Sequence, residues 1–142
     1  MKKIQRVIMV DDDPYSNMIC NYIIRQVAGD IELFEFTNPE GGIEYIESAY
    51  KTEDTCSTIL LLDINMPEMT CWDFLERFDK AEPDVKEQIT VYLLSSSIDH
   101  RDQKRAEANK YVKDFLVKPF RVEMAEKILS NLNGHKKDIL TY

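Results

Sequence analysis

Four short apolar runs in this 142-residue chain each end on a polar residue. Val7, Ile8, Met9 and Val10 lead into Asp11, Asp12 and Asp13; Ile59, Leu60, Leu61 and Leu62 lead into Asp63. Val91, Tyr92, Leu93 and Leu94 lead into Ser95; Phe115, Leu116 and Val117 lead into Lys118 and Pro119. Runs this short, without polar alternation, predict strands buried on both faces, as in a parallel sheet covered by helices. A fifth run over residues 31–36 is broken by Glu32 and Glu35, and that mixed character predicts a sheet edge.

Helical spacing follows each run. Tyr15, Met18, Ile19, Tyr22, Ile23 and Val27 recur three and four apart, which predicts a helix with one buried stripe. Asp13 fits its N-cap, Pro14 its first position and Gly29 a left-handed stop. Asn38 and Pro39 open a second helix with Ile43, Ile46 and Ala49 or Tyr50 inward, its first turn weakened by Gly41 and Gly42. A polar connection over residues 51–57 precedes the next strand. Trp72, Leu75 and Phe78 mark a short third helix, and Pro83 argues against helix through residues 79–88. Residues 99–109 predict a weakly apolar fourth helix, with Ala106 and Ala108 its main small residues. Val122, Ala125, Ile128 or Leu129, and Leu132 form a final stripe that Asn133 and Gly134 should end. Five strands alternating with five helices predict one α/β domain with a parallel sheet over residues 1–132, followed by a short tail over 133–142 and no effector domain.

Charge and composition narrow the function classes. Eighteen Lys and Arg against 26 Asp and Glu give a net charge of −8, which argues against generic binding to nucleic acid or anionic membrane. No stretch approaches the ~20 apolar residues of a membrane span. The start of the chain has no adequate apolar core for a signal peptide. Cys20, Cys56 and Cys71 are odd in number and unpaired in spacing, as expected of free thiols in a reducing cytoplasm. His100 and His135 have no Cys or His neighbours and give no zinc pattern.

If the four runs are neighbouring parallel strands, their terminal groups converge beyond the carboxyl ends, where open sheets bind ligands. Clustered carboxylates repel unless a cation neutralises them, and magnesium suits an all-oxygen set such as Asp11, Asp12 and Asp63. A carboxylate can also attack phosphorus to form an aspartyl phosphate, a reaction governed by positioning and nearby cations. Lys118 would supply a fixed ammonium and Ser95 a hydroxyl.

These residues resemble the receiver domain of two-component response regulators. The motifs are Val10-Asp11-Asp12-Asp13-Pro14, Leu62-Asp63-Ile64-Asn65-Met66-Pro67-Glu68-Met69, Leu93-Leu94-Ser95-Ser96 and Phe115-Leu116-Val117-Lys118-Pro119-Phe120. They stand in the family's order across nearly the whole chain. The resemblance implies a flavodoxin-like, doubly wound, five-stranded parallel sheet of order 2-1-3-4-5 with five helices. It implies Asp63 as phosphoacceptor, with magnesium held by Asp12, Asp63 and the Asn65 carbonyl, and by Asp11 through water. Ser95 matches the switch hydroxyl and Phe115 the switch aromatic. Lys118 matches the family's lysine, whose bond to proline is commonly cis. Function then follows as a cytoplasmic signalling receiver rather than an enzyme with its own substrate. It would be phosphorylated by a histidine kinase or histidine phosphotransfer protein. Its fourth helix, fifth strand and fifth helix would switch, and its output would pass to a target protein or onward by phosphorelay. A phosphorylation-dependent homodimer is compatible with this scheme.

Three positions depart from the family pattern. Cys71 stands where glycine is usual, Asp114 where a small residue is common, and Phe115 lacks the hydroxyl of a tyrosine. A haloacid-dehalogenase-type phosphatase would instead use Asp11 as nucleophile in Asp11-x-Asp13, but Tyr15 and the lack of a later acidic pair fit it poorly. A degenerate receiver would bind a partner without phosphorylation, against which stands the complete acid, hydroxyl and lysine set. A flavodoxin-type FMN protein would need a phosphate loop less acidic than Asp11 to Asp13.

Overall fold

The computed structural model describes residues 4–49 and 56–140. Five strands are present: β1 (Ile4–Val10), β2 (Glu32–Phe36), β3 (Cys56–Asp63), β4 (Ile89–Ser95) and β5 (Val112–Val117). They form one parallel sheet of order β2-β1-β3-β4-β5. The described residues also form six helices: α1 (Pro14–Val27), α2 (Pro39–Ala49), α3 (Cys71–Asp79), α4 (Pro83–Glu87), α5 (His100–Ala108) and α6 (Val122–Leu140).

Strand alternation feeds two separate cores. Ile8, Val10, Leu60, Leu62, Val91 and Leu93 face one side, where Ile43 and Ile46 of α2, Phe74 and Phe78 of α3, and Ala106 of α5 cover them. Val7, Met9, Ile59, Leu61, Tyr92 and Leu94 face the other, under Cys20 and Ile24 of α1 and Ala125, Ile128 and Leu129 of α6. Burial on both faces is why these strands read as unbroken apolar runs. The β2 edge has the exposed and half-buried pattern that Glu32 and Glu35 forecast.

Several local expectations need correction. The fold has one helix more than expected, because Pro83 does not prevent helix but starts it, at the first position of the short α4. The expected fourth and fifth helices are thus α5 and α6. On α1 the buried residues are Asn17, Cys20 and Ile24, whereas Tyr15, Met18, Ile19 and Tyr22 are exposed, Tyr15 at 69% and Tyr22 at 67%. Ile23 and Val27 are partly buried. The helix is rotated from the forecast because apolar residues occupy much of its circumference, and the small Cys20 lets it approach the sheet. Gly29 takes no left-handed conformation. Ala28 ends the helix in extended backbone, its N–H donating to the Ile24 carbonyl. Val122 is 45% exposed and Ala108 is also exposed. α6 runs through Asn133 and Gly134 to Leu140, so these two residues do not end the helix. One glycine costs about 1 kcal/mol in a helix, too little to stop a helix flanked by good formers. Tyr50 and most of the expected polar connection lie outside the described residues, as do the side chains of Ala49, Cys56, Leu132 and His135.

Departures from the family pattern are accommodated locally. Cys71 is the first residue of α3, fully buried, with its N–H donating to the Ile64 carbonyl at 3.1 Å. Thr70 caps this helix by accepting from the Asp73 N–H. Trp72 is half-buried beneath the Arg105 guanidinium of α5, 4.5 Å from its ring centroid. Burial pushes the Cys20 and Cys71 thiols up to about 12, so both stay protonated.

Gly41 and Gly42 allow a sharp test of packing against propensity. A Cβ on Gly42 would lie 2.8 Å from Val10 Cγ2, whereas on Gly41 the nearest atom is at 3.7 Å. Alanine gains up to about 1 kcal/mol in helix propensity, but overpacking a stiff valine costs about 1–3 kcal/mol. Chemical denaturation should therefore show Gly41→Ala slightly stabilising and Gly42→Ala destabilising by about 1–2 kcal/mol.

Candidate functional site

The site is assembled by strand register. Val10 lies opposite Leu62, Asp63 opposite Leu94, and Ser95 opposite Val117. Asp11, Asp63, Ser95 and Lys118 therefore leave four adjacent strands at nearly one level, at the carboxyl edge. Strand order reverses between β1 and β3, the crevice where open sheets bind ligands.

Lys118 stands among the carboxylates. Its Nζ lies 2.8 Å from Asp11 Oδ2 and 3.3 Å from Asp63 Oδ1. Asp11 is buried, and its Oδ1 accepts from the Asp13 N–H at 3.0 Å. Its buried Oδ2 is met by the Lys118 ammonium as an ion pair, without a further hydrogen bond. Asp12 is exposed at the mouth, and ligand oxygens of Asp11, Asp12 and Asp63 lie within 4.8 Å of one another. The Lys118 backbone N–H donates to the Ser95 carbonyl at 2.7 Å, and the Lys118–Pro119 bond is cis.

The electrostatics are unbalanced. Burial, then the charge of Asp11, pushes the Asp63 carboxyl up to about 7 against the pull of Lys118. Burial opposes the Lys118 ammonium, but Asp11 and Asp63 outweigh it and hold its pKa above the usual value. Three carboxyl groups against one ammonium leave the cluster short of positive charge. A buried oxygen facing a single ammonium, an all-oxygen donor set and missing positive charge fit a hard divalent cation such as magnesium.

Other forecast residues are placed less centrally. Asn65 is exposed two residues past Asp63. Ser95 is buried, and its hydroxyl is committed to its own loop, donating to the Ser97 carbonyl at 2.6 Å and accepting from the Ser97 N–H at 3.2 Å. Phe115 sits below the crevice, opposite Leu93, and packs against the core under α5. Asp13 stays out of the cluster and caps α1, accepting from the Tyr15 N–H at 3.0 Å. Asp114 pairs outward with Lys127 at 2.9 Å.

Sequence reasoning missed Asn17. It is buried, and its side-chain amide donates to the Asp11 and Phe36 carbonyls, each at 3.2 Å. The available signal was its spacing of three and seven from Cys20 and Ile24, which places all three on one helical face.

The raised value of Asp63 has a consequence for stability. Its contribution is complete below the ordinary value of 3.8 and is lost as pH rises through about 7, because the fold disfavours the ionised form. Denaturation of metal-free protein at pH 8 should show Asp63→Asn more stable than the native chain by about 1–3 kcal/mol, a gain that shrinks toward pH 4.

Comparison with known proteins agrees with this geometry. A family model described as response regulator receiver domain matches residues 7–130. The chain is 29% identical to the 3',5'-cyclic-nucleotide phosphodiesterase regA of Dictyostelium discoideum, over 86% of this chain but only 14% of that protein. It is 26% identical to the chemotaxis protein CheY of Thermotoga maritima, covering 91% of this chain and 98% of the other. Among solved structures, a two-component response regulator from Cytophaga hutchinsonii superposes with a TM-score of 0.79 at 28% identity, over 94% of this chain and all of that one. The receiver domain of sensor histidine kinase PA1611 from Pseudomonas aeruginosa, solved with magnesium coordinated in its active-site cleft, gives 0.72 at 16% identity, over 92% and 98%. A family match over most of the chain, on a sheet of this order, places the chain in the response regulator receiver domain family of two-component signalling.

Proposed function

We propose that this receiver takes a phosphoryl group onto Asp63 from a histidine kinase or histidine phosphotransfer protein. The observation that carries this reading is Asp63 itself, buried at a strand end 3.3 Å from Lys118 Nζ and grouped with Asp11 and Asp12. One Asp63 oxygen attacks phosphorus; the bond to the donor's imidazole nitrogen breaks, and that nitrogen keeps the electron pair. Lys118 offsets charge on the transferring oxygens from a fixed position. Asp11, Asp12, Asp63 and the Asn65 carbonyl would hold magnesium, whose chemistry when bound is to neutralise the carboxylates and the phosphoryl oxygens.

The switch reading rests on Ser95. To reach a phosphoryl oxygen, its hydroxyl must leave the Ser97 carbonyl, which reshapes the loop leading into α5. Phe115 then moves sterically, lacking a hydroxyl of its own, and the α5–β5–α6 face changes. Output passes from that face by protein contact, homodimerisation or onward phosphorelay, in the cytoplasm where such donors act. Within the described residues, no helix is long and apolar enough to cross a membrane.

The exposed apolar face of α1 supports a protein donor. Tyr15 and Ile19, with Lys118, Pro119 and Phe120, line a groove of about 330 Å³ beside the crevice, and Met18 and Tyr22 extend the apolar surface along the helix. Such patches mark contact sites. The phosphatase reading is set aside by the family match, and by Asp11, whose oxygens are engaged by Lys118 and the Asp13 N–H.

Incubation with magnesium and a small phosphodonor should add one phosphoryl by intact mass, removed by hydroxylamine. The addition should be lost in Asp63→Asn and kept in Asp13→Asn; labelling at Asp11 would overturn the reading, and no labelling by any donor would leave a degenerate receiver. Replacing Tyr22 or Ile19 with Glu should slow transfer from a cognate donor protein by about tenfold or more while leaving small-donor labelling within about twofold. Equal slowing of both would remove α1 as the docking face.

A further inference from the structure

We propose that Asn17 is a positioning residue for the acid pair, clamping the Asp11–Asp12 peptide plane so that the Asp12 carboxylate faces Asp11 and Asp63. The proposal rests on the magnesium-binding reading of the acids. Asp11 is fixed through its own side chain by Lys118 and the Asp13 N–H. Asp12 has no such anchor. It is exposed, and its side chain approaches the Asp63 carboxyl rather than a cation or a backbone N–H. Its direction must therefore come from the backbone.

Asn17 holds that backbone on both sides. Its side-chain amide donates to the Asp11 carbonyl at 3.2 Å, and its backbone N–H donates to the Asp13 carbonyl at 3.3 Å. Because a peptide unit is planar, holding the Asp11 oxygen sets the plane that carries the Asp12 nitrogen and Cα. The second amide hydrogen goes to the Phe36 carbonyl at 3.2 Å, which also accepts from the Asp11 N–H at 3.0 Å. Asn17, the end of β1 and the end of β2 are thus closed into one hydrogen-bonded ring. Both side-chain partners are carbonyl oxygens, so the NH₂ and not the oxygen must face them. Aspartate there would set a carboxylate against two acceptors, and leucine would offer no donor. Only a short, uncharged side chain with two donors meets the geometry, which accounts for a polar residue facing the core between Pro14 and Cys20.

Magnesium titration by calorimetry, alongside thermal melts, separates positioning from mere satisfaction of a buried carbonyl. Asn17→Ala should weaken magnesium binding about tenfold or more, the usual effect of losing a group that orients a ligand. Asn17→Ser, with one donor, should fall between. The magnesium concentration that half-saturates Asp63 labelling should rise in parallel, while the rate at saturating magnesium stays within about twofold. In metal-free protein, the Asp11 amide should exchange its hydrogen faster in Asn17→Ser than in the native chain. Asn131→Ala, which loses a 2.8 Å bond to the Tyr92 hydroxyl between α6 and β4, is the control for general destabilisation. It should lower the melting temperature with magnesium binding unchanged. Asn17 variants that melt lower but bind magnesium within about twofold of native overturn the positioning role alone. A native chain that binds no magnesium overturns the acid-site reading and this proposal together.

Discussion

One ammonium among three carboxylates is the constraint around which this molecule is arranged. Lys118 lies within ion-pair distance of Asp11 and Asp63, with Asp12 at the mouth, and the group is short of positive charge. Burying such an arrangement does little for stability, because desolvation consumes much of the Coulomb attraction. The raised pKa of Asp63 records that cost. The same deficit of positive charge is what a hard divalent cation would relieve.

The sheet makes the cost affordable by holding the crevice rigid. Each central strand sends alternate residues into two cores, so a strand cannot slide by one residue without reversing both faces. Register then places the terminal groups of β1, β3, β4 and β5 at one edge without any contact among those groups being required to align them. Packing is tight up to the site itself: Val10, directly before Asp11, leaves no room for a side chain on Gly42. The loop after Ser95 and the half-buried Phe115 lie outside this frame.

α1 inverts the ordinary rule of burial and is the clearest case of tertiary context overriding pattern. Its Asn17 is buried, while two tyrosines, a methionine and an isoleucine face outward. Amphipathic spacing identified the helix but not its rotation, since two apolar stripes were present and only one could face the sheet. The amide's bonds to strand-end carbonyls, together with the room made by Cys20, select the face. An outward apolar surface thus lies next to the acidic crevice. Smaller misreadings share this cause. Gly29, Asn133 and Gly134 are weak local stop signals, and Pro83 serves equally as a helix breaker and a helix start.

The chain itself determined the strands, their parallel character and the polar residue at each end, because continuous apolar runs and strand-end acids are local features. The motifs carried the family and the strand order. The cis bond at Lys118–Pro119 and the capping role of Asp13 were equally legible. Tertiary structure alone decided which face of α1 is buried, that Asn17 braces the acidic loop, and that Ser95 is engaged with Ser97. It also set the protonation balance of Asp63. These properties are sums over groups far apart in sequence, Asp11 with Lys118 and Asn17 with Phe36 among them. No local pattern encodes such sums, and only the folded arrangement brings their terms together.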